Sequence, residues 1–246
     1  MKEERENAML FFYVRHGDPT YQPDALTPIG ERQAEAVGRR LARFGLDRIY
    51  SSTANRAMQT AKPASELTRK EIVPLEWCRE GLAWDEMAID DGTGKRKWCF
   101  LIESVRRKFS SPEVLSLGDK WYEAPGFPEN RFRDAVERVG RETDAFMLGL
   151  GYRHDRENRC YVAERPNDER VALFAHLGFG MSFLSVLLDI PYPLLATRIE
   201  HGYTGMTVIE FKDHDGIAIP KMLELSCDAH LYAADLPTEY NRRIRF

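Results

Sequence analysis

Apolar runs of strand length alternate along this chain with stretches whose apolar residues recur every three or four positions. That alternation predicts an α/β fold, a three-layer αβα sandwich with a mostly parallel central sheet and an inserted lid. The first strand is read at Leu10–Val14 (LFFYV). Thr27 and Pro28 then supply an N-cap and a proline at the first helical position, and Ala34, Val37, Leu41 and Phe44 make the apolar stripe of the helix they open. Gly45 stands where a helix C-cap belongs. A second strand is predicted at Leu46–Tyr50, followed by a helix capped by Ser51 or Ser52, with Arg56 in its first turns and a kink at Pro63.

A strand at Ile72–Leu75 precedes the least patterned stretch, residues 85–128, where acidic, basic, aromatic, glycine and proline residues mix. It reads as a lid-like insertion in a single domain spanning 1–246. Helical spacing returns at Phe132, Val136, Val139, Phe146 and Leu150. A hairpin is predicted over about 159–175, with Arg159–Glu164 facing Arg170–Ala175. The strand Val171–Ala175 ends in His176, Leu177 opens a helix stopped by Pro191, and Met206–Phe211 is another strand. There is no internal repeat and no low-complexity linker.

Composition narrows the function classes. A chain of 246 residues with 43% hydrophobic content can bury one sizeable core. A net charge of -4 gives no basic excess of the kind that nucleic-acid or anionic-membrane binding displays. The N-terminal MKEERENAM is charged and short, so neither a signal peptide nor a membrane span is expected, and a cytoplasmic location is. Cys78, Cys99, Cys160 and Cys227 lie far apart and read as reduced thiols, while His154, His214 and His230 lack metal-ligand spacing. No metal and no cofactor are therefore predicted, and a homodimer is left open. DDGTGKRK (Asp90–Lys97) lacks P-loop spacing and reads as a mobile loop. The basic clusters Lys95, Arg96, Lys97 and Arg106, Arg107, Lys108 read as solvated faces, and Trp98, Phe100, Trp121, Tyr122 and Phe127 mostly as core.

The chemistry gathers where strands end, which is where open α/β sheets place their ligands. Arg15 and His16 follow the first strand and His176 a later one. Phosphoryl transfer needs a nucleophile, a fixed positive clamp and an acid for the leaving oxygen. Neutral imidazole is a good nucleophile toward phosphorus. Neighbouring guanidiniums lower its pKa and bind the phosphoryl oxygens bidentately, a task for which Arg15 and Arg56 are suited. A helix start at Ser51–Thr53 would add backbone N–H groups facing the anion.

The segments VRHG (Val14–Gly17), LTPIGERQA (Leu26–Ala34) and YSSTANRAMQTA (Tyr50–Ala61) resemble, in order, the motifs of the histidine phosphatase, or phosphoglycerate-mutase-like, superfamily. Phe174–Pro191 and His201–Phe211 resemble the family's second histidine segment and the strand after it. The resemblance implies that His16 becomes phosphorylated while Arg15, Arg56 and His176 hold the phosphoryl group. It also implies a proton donor in CREGLAW, with Glu80 the choice and Glu76, Asp85 and Glu86 as rivals. Leu177 departs from the family's glycine after the second histidine, and His201 is balanced between a structural role and a substrate contact. Pro19 and Gln22 replace the serine and asparagine-rich loop of the mutases, which favours a phosphomonoesterase passing the phosphoryl group from His16 to water, on a small phosphorylated metabolite. Mutase-type phosphotransfer and an inactive phosphate-ligand-binding scaffold are the alternatives.

Overall fold

A computed structural model describes residues 7–238, apart from the side chain of Glu129. Its frame is a nine-stranded mixed sheet. The strand Ala8–Arg15 is parallel to Arg170–Ala175, which is parallel to Arg48–Ser52, which is parallel in turn to Ile72–Leu75. On its other side Ala8–Arg15 pairs antiparallel with Met206–His214. From there the sheet continues antiparallel through Ile217–Ala218, Cys160–Ala163 and Tyr152–Asp155, while Lys221–Cys227 also pairs with Met206–His214.

Helices cover both faces, and the first strand shows why its apolar run is unbroken. Phe11 and Tyr13 pack into one core with Phe179 and Phe183, whereas Phe12 and Val14 pack into another with Val37, Leu41 and Ala61. Alternate side chains of a strand point to opposite faces, so burial of both faces demands apolar residues throughout. The helix Pro28–Phe44 has its predicted punctuation. Thr27 accepts the N–H of Gly30, a cap worth about 1 kcal/mol, and Gly45 closes the helix at φ 75°.

Several boundaries differ from the sequence reading. The hairpin uses other partners: Cys160–Ala163 pairs with Tyr152–Asp155, while Arg170–Ala175 lies between two parallel strands. Alternation marks a strand but not its neighbour, and the buried Val171–Ala175 run is better satisfied inside the sheet. Neither Ser51 nor Ser52 caps the second helix. The preceding strand runs through Ser52, and the helix Asn55–Thr68 starts after Ala54 without a side-chain cap. It continues through Pro63, against which Gly38 is packed so closely that a Cβ there would lie 2.7 Å from the proline ring. DDGTGKRK is the turn of a ribbon joining Ala88–Asp90 to Arg96–Trp98, where Asp90 accepts from Gly92 and Gly94, both at positive φ.

Residues 85–128 form this ribbon and a set of short helices, Glu103–Phe109 and Pro112–Ser116 among them. Phe100, Phe109, Trp121 and Tyr122 are buried in the main core, with Trp121 stacked on Tyr192 at 5.2 Å. The four cysteines are unpaired, and burial pushes the Cys78 and Cys99 thiols up to about 12. Among the described residues no helix is long and apolar enough to cross a membrane.

Candidate active site

Two parallel strands that are neighbours in the sheet end side by side, and His16 and His176 are the residues that directly follow them. The register pairs Arg15 with Ala175, and His16 N–H donates to the Ala175 carbonyl. The two imidazoles face each other with centroids 5.2 Å apart. Arg56 joins them from the second residue of its helix, where its Nη2 donates to His176 Nδ1 at 3.2 Å. All four side chains are nearly inaccessible, with relative exposures of 4% for Arg15, 2% for His16, 8% for Arg56 and 0% for His176.

Hydrogen bonds set the tautomers. His16 Nδ1 lies 2.7 Å from the Gly17 carbonyl, an acceptor only, so Nδ1 carries the proton and Nε2 keeps its lone pair. His176 is the reverse: Nδ1 accepts from Arg56, leaving Nε2–H to donate to Ser52 Oγ at 2.8 Å. Burial, then the charges of Arg15 and Arg56, hold the His16 pKa well below the ordinary imidazole range. Burial, then His16 and the two arginines, do the same to His176. Both rings are therefore neutral near pH 7.

The backbone is pinned as tightly. Gly17 N–H donates to Thr60 Oγ1, which donates in turn to the Arg56 carbonyl, tying the loop after His16 to the arginine helix. A Cβ on Gly30 would lie 2.1 Å from the Asp18 carbonyl oxygen, so the glycine of LTPIG is required for this loop to lie against the helix start. The Tyr13 hydroxyl donates to the His176 carbonyl and accepts from its N–H.

Arg15 is held through one terminal nitrogen and Arg56 through both. Arg15 Nη1 donates to the His201 carbonyl, and its guanidinium lies 4.1 Å over the Tyr203 ring. Arg56 Nη1 is paired with Asp24 at 2.7 Å. The Nε atoms of both arginines are buried without a protein partner, which is unusual for a guanidinium and fits a place prepared for an anion. His201 reaches the site through its backbone. Its ring is fully buried, Nε2 lies 2.6 Å from Thr207 Oγ1, and burial pushes its pKa to about 3.

Glu80 opens the helix Glu80–Met87 beside the start of the helix Leu177–Leu187. Its two oxygens accept the N–H groups of Gly178 and Phe179 at 3.0 and 2.9 Å. Leu177, the departure from the family pattern, turns its side chain into the core. Gly178 is the position without room: a Cβ would sit 2.3 Å from the Trp98 indole. Burial raises the Glu80 pKa against the opposing pull of these amides and of Arg15 and Arg56. The rival carboxylates are engaged elsewhere. Glu86 is held by Arg138 through two 2.6 Å bonds, Glu76 by Thr53 and Arg79, and Asp85 is largely exposed beside Arg96.

A cavity of about 460 Å³ opens over Arg56 and Glu80, walled by Tyr21, Asp24, Arg79, Trp84 and Trp98. Sequence reasoning read Ser52 as a helix cap and Trp98 as core, and it assigned no site role to Tyr21, Asp24, Trp84, Thr60, Tyr13 or Tyr203. Ser52 and Thr60 lie inside the quoted YSSTANRAMQTA segment, so their roles could have been sought there; the aromatic wall has no such signal.

The fold resembles that of several solved proteins. It aligns with a phosphoserine phosphatase from Entamoeba histolytica, crystallised with 3-phosphoglyceric acid, at 19% identity and a TM-score of 0.57, over 91% of this chain and 99% of that one. It aligns with a mycobacterial glucosyl-3-phosphoglycerate phosphatase at 20% identity and a TM-score of 0.56, over 89% and 99%. A phosphoglycerate mutase from Bacillus anthracis matches at 17% identity and a TM-score of 0.57, over 95% and 100%. At such identities the likeness shows the fold alone. A search of curated proteins found no match. The family model of the histidine phosphatase superfamily (branch 1) matches residues 11–219, and the chain belongs to that superfamily.

Proposed function

We propose that the protein is a phosphomonoesterase that takes a phosphoryl group onto His16 and passes it to water. The observation that carries this reading is the state of His16: a buried, neutral imidazole whose Nδ1–H is fixed on Gly17 and whose Nε2 lone pair is free, between Arg15, Arg56 and His176. Nε2 attacks phosphorus as the ester P–O bond breaks, and the Glu80 carboxyl gives its proton to the leaving oxygen. The Glu80 carboxylate then takes a proton from water, whose oxygen attacks phosphorus as the P–N bond breaks. Arg15, Arg56 and the His176 Nε2–H hold the phosphoryl oxygens through both steps, stabilising the charge that develops on them. His176 exchanges its Ser52 partner for the phosphoryl group in this scheme.

A raised Glu80 pKa supports its place as the acid, because a general acid is most effective when it is still protonated near the working pH. Two of the aligned structures are named as phosphatases of phosphorylated metabolites, which supports a small phosphomonoester as substrate. The test is hydrolysis of para-nitrophenyl phosphate in EDTA by wild type and His16→Ala, with acid-labile phosphohistidine trapped on quenching. Turnover and trapped phosphate in wild type, both absent from the variant, are expected. Trapped phosphate without release to water would instead favour mutase-type transfer, and neither in a folded wild type would sink the enzymatic reading.

A further inference from the structure

The cavity beside the phosphoryl clamp has a character of its own. Trp84 and Trp98 stand edge to face, centroids 5.1 Å apart and planes at 85°, so their indoles make a right-angled corner. Trp98 is braced from behind by Phe100, stacked at 5.7 Å, and by the Gly178 backbone that lies against its ring. Tyr21 faces the same space and is 64% exposed, so a large aromatic surface is left toward solvent where the cavity opens. Aromatic faces left open around a concave site beside fixed polar groups are the usual setting for an apolar ring.

The charges of the wall are already matched. Arg56 is paired with Asp24, Arg79 with Glu76, and the Glu80 carboxyl with two backbone amides. A carboxylate on the substrate's alcohol would meet Asp24, and the half-exposed Arg79 guanidinium would have to leave Glu76 to receive it. A neutral ring would meet the two indoles and Tyr21 at no such cost.

We propose that the leaving alcohol of the substrate is an uncharged, ring-bearing group seated in the corner of Trp84 and Trp98, rather than a short carboxylate-bearing chain. This rests on the reading of His16 as the phosphoryl acceptor, and it adds the class of ester that the site selects.

The test compares benzyl phosphate, ethyl phosphate and O-phosphoserine. Benzyl and ethyl phosphates release alcohols of similar basicity, so their ratio reports the ring and not the ease of departure. The expected kcat/KM for benzyl phosphate exceeds that for either other ester by about tenfold. Trp84→Ala is expected to cut the benzyl-to-ethyl ratio by about fivefold. Equal rates for benzyl and ethyl phosphates in wild type would overturn the proposal and leave the phosphatase reading standing. Preference for O-phosphoserine, lost in Arg79→Ala, would overturn it in favour of a carboxylate-binding cavity. If no ester turned over and no phosphohistidine formed, the phosphatase reading would fail on its own. Titration of wild type with benzylphosphonate and ethylphosphonate still measures the ring preference in that case, and equal affinities would overturn it.

Discussion

Two buried histidines of this sheet are driven in opposite directions by what surrounds them. His16 lies at the end of a central strand between two guanidiniums, and burial with their charges keeps it neutral. His154 lies on the outer strand Tyr152–Asp155, its side chain wholly inaccessible, between Asp144 at 2.8 Å and Asp189 at 3.1 Å. Burial alone lowers its pKa too, but the two carboxylates outweigh burial and leave the value raised. Its ring stacks on Tyr161 at 4.3 Å, and Arg156 donates to both oxygens of Asp144. Burial disfavours the charged imidazole at both places, and the sign of the neighbouring charges decides whether that push is reinforced, as at His16, or outweighed, as at His154. One region keeps its imidazole neutral, and the other shifts its imidazole toward the protonated form.

The largest effect tests the reactive side. His16→Ala is expected to lower kcat for any phosphomonoester by about 10⁴-fold or more and to abolish phosphohistidine, read by steady-state rates and acid-quench trapping. A variant retaining a tenth of the activity would move the nucleophile elsewhere. Glu80→Gln should cost about 10²- to 10³-fold on ethyl phosphate and far less on para-nitrophenyl phosphate, whose leaving group needs little protonation. The wild-type rate on ethyl phosphate should fall as pH rises through the elevated Glu80 pKa, because the acid is then lost, and the variant should lack that alkaline limb. On the acid side both active-site imidazoles stay neutral well below pH 6.5, so activity should persist there.

The elements that frame the site were legible through local rules, and the roles of His16, Arg56, His176 and Glu80 through the resemblance of their motifs, since Arg56 meets His176 across 120 positions. Thr27, Pro28 and Gly45 punctuate a helix by caps that act over three or four residues, and LFFYV ends in Arg15 and His16 because the chain must leave the sheet there. Glycine in LTPIG is set by a backbone approach that admits no Cβ. The His154 cluster and the aromatic wall depend on residues far apart in the chain. Asp144 and Asp189 are separated by 45 positions, and Trp98 meets Gly178 across 80. The misplaced hairpin failed for the same reason. A strand's face can be read from its alternation, whereas its partner is chosen by the whole sheet, and Val171–Ala175 finds its partners in Ala8–Arg15 and Arg48–Ser52.

A smaller effect sharpens the clamp. Arg56 serves Asp24 with one Nη and His176 with the other, a fork that an ammonium cannot reproduce. Arg56→Lys keeps the charge and should still lower kcat/KM by about 10- to 100-fold, measured on variant protein shown to be folded. A loss below twofold would show that charge alone suffices and that the geometry of the pair is incidental.

The smallest effect lies on the charged side, and it is a matter of stability. A folded-state pKa raised above the unfolded value means that the native protein binds the His154 proton more tightly than the unfolded chain does. The stabilisation is therefore complete below the unfolded value near 6.5 and is lost as pH rises through the higher folded value. His201 slopes the other way: with its pKa pushed to about 3, its contribution is complete above about 6.5 and declines as pH falls from there. Comparing wild type with His154→Gln removes the His201 slope, since both proteins carry it. The melting-temperature difference between them should be a few degrees at pH 5.5 and shrink by pH 8.5. A difference independent of pH would mean that stacking on Tyr161, and not the proton shared with Asp144 and Asp189, is what His154 contributes; Asp189→Asn, which keeps the ring and removes one carboxylate, should flatten the same pH dependence if the charge is the cause.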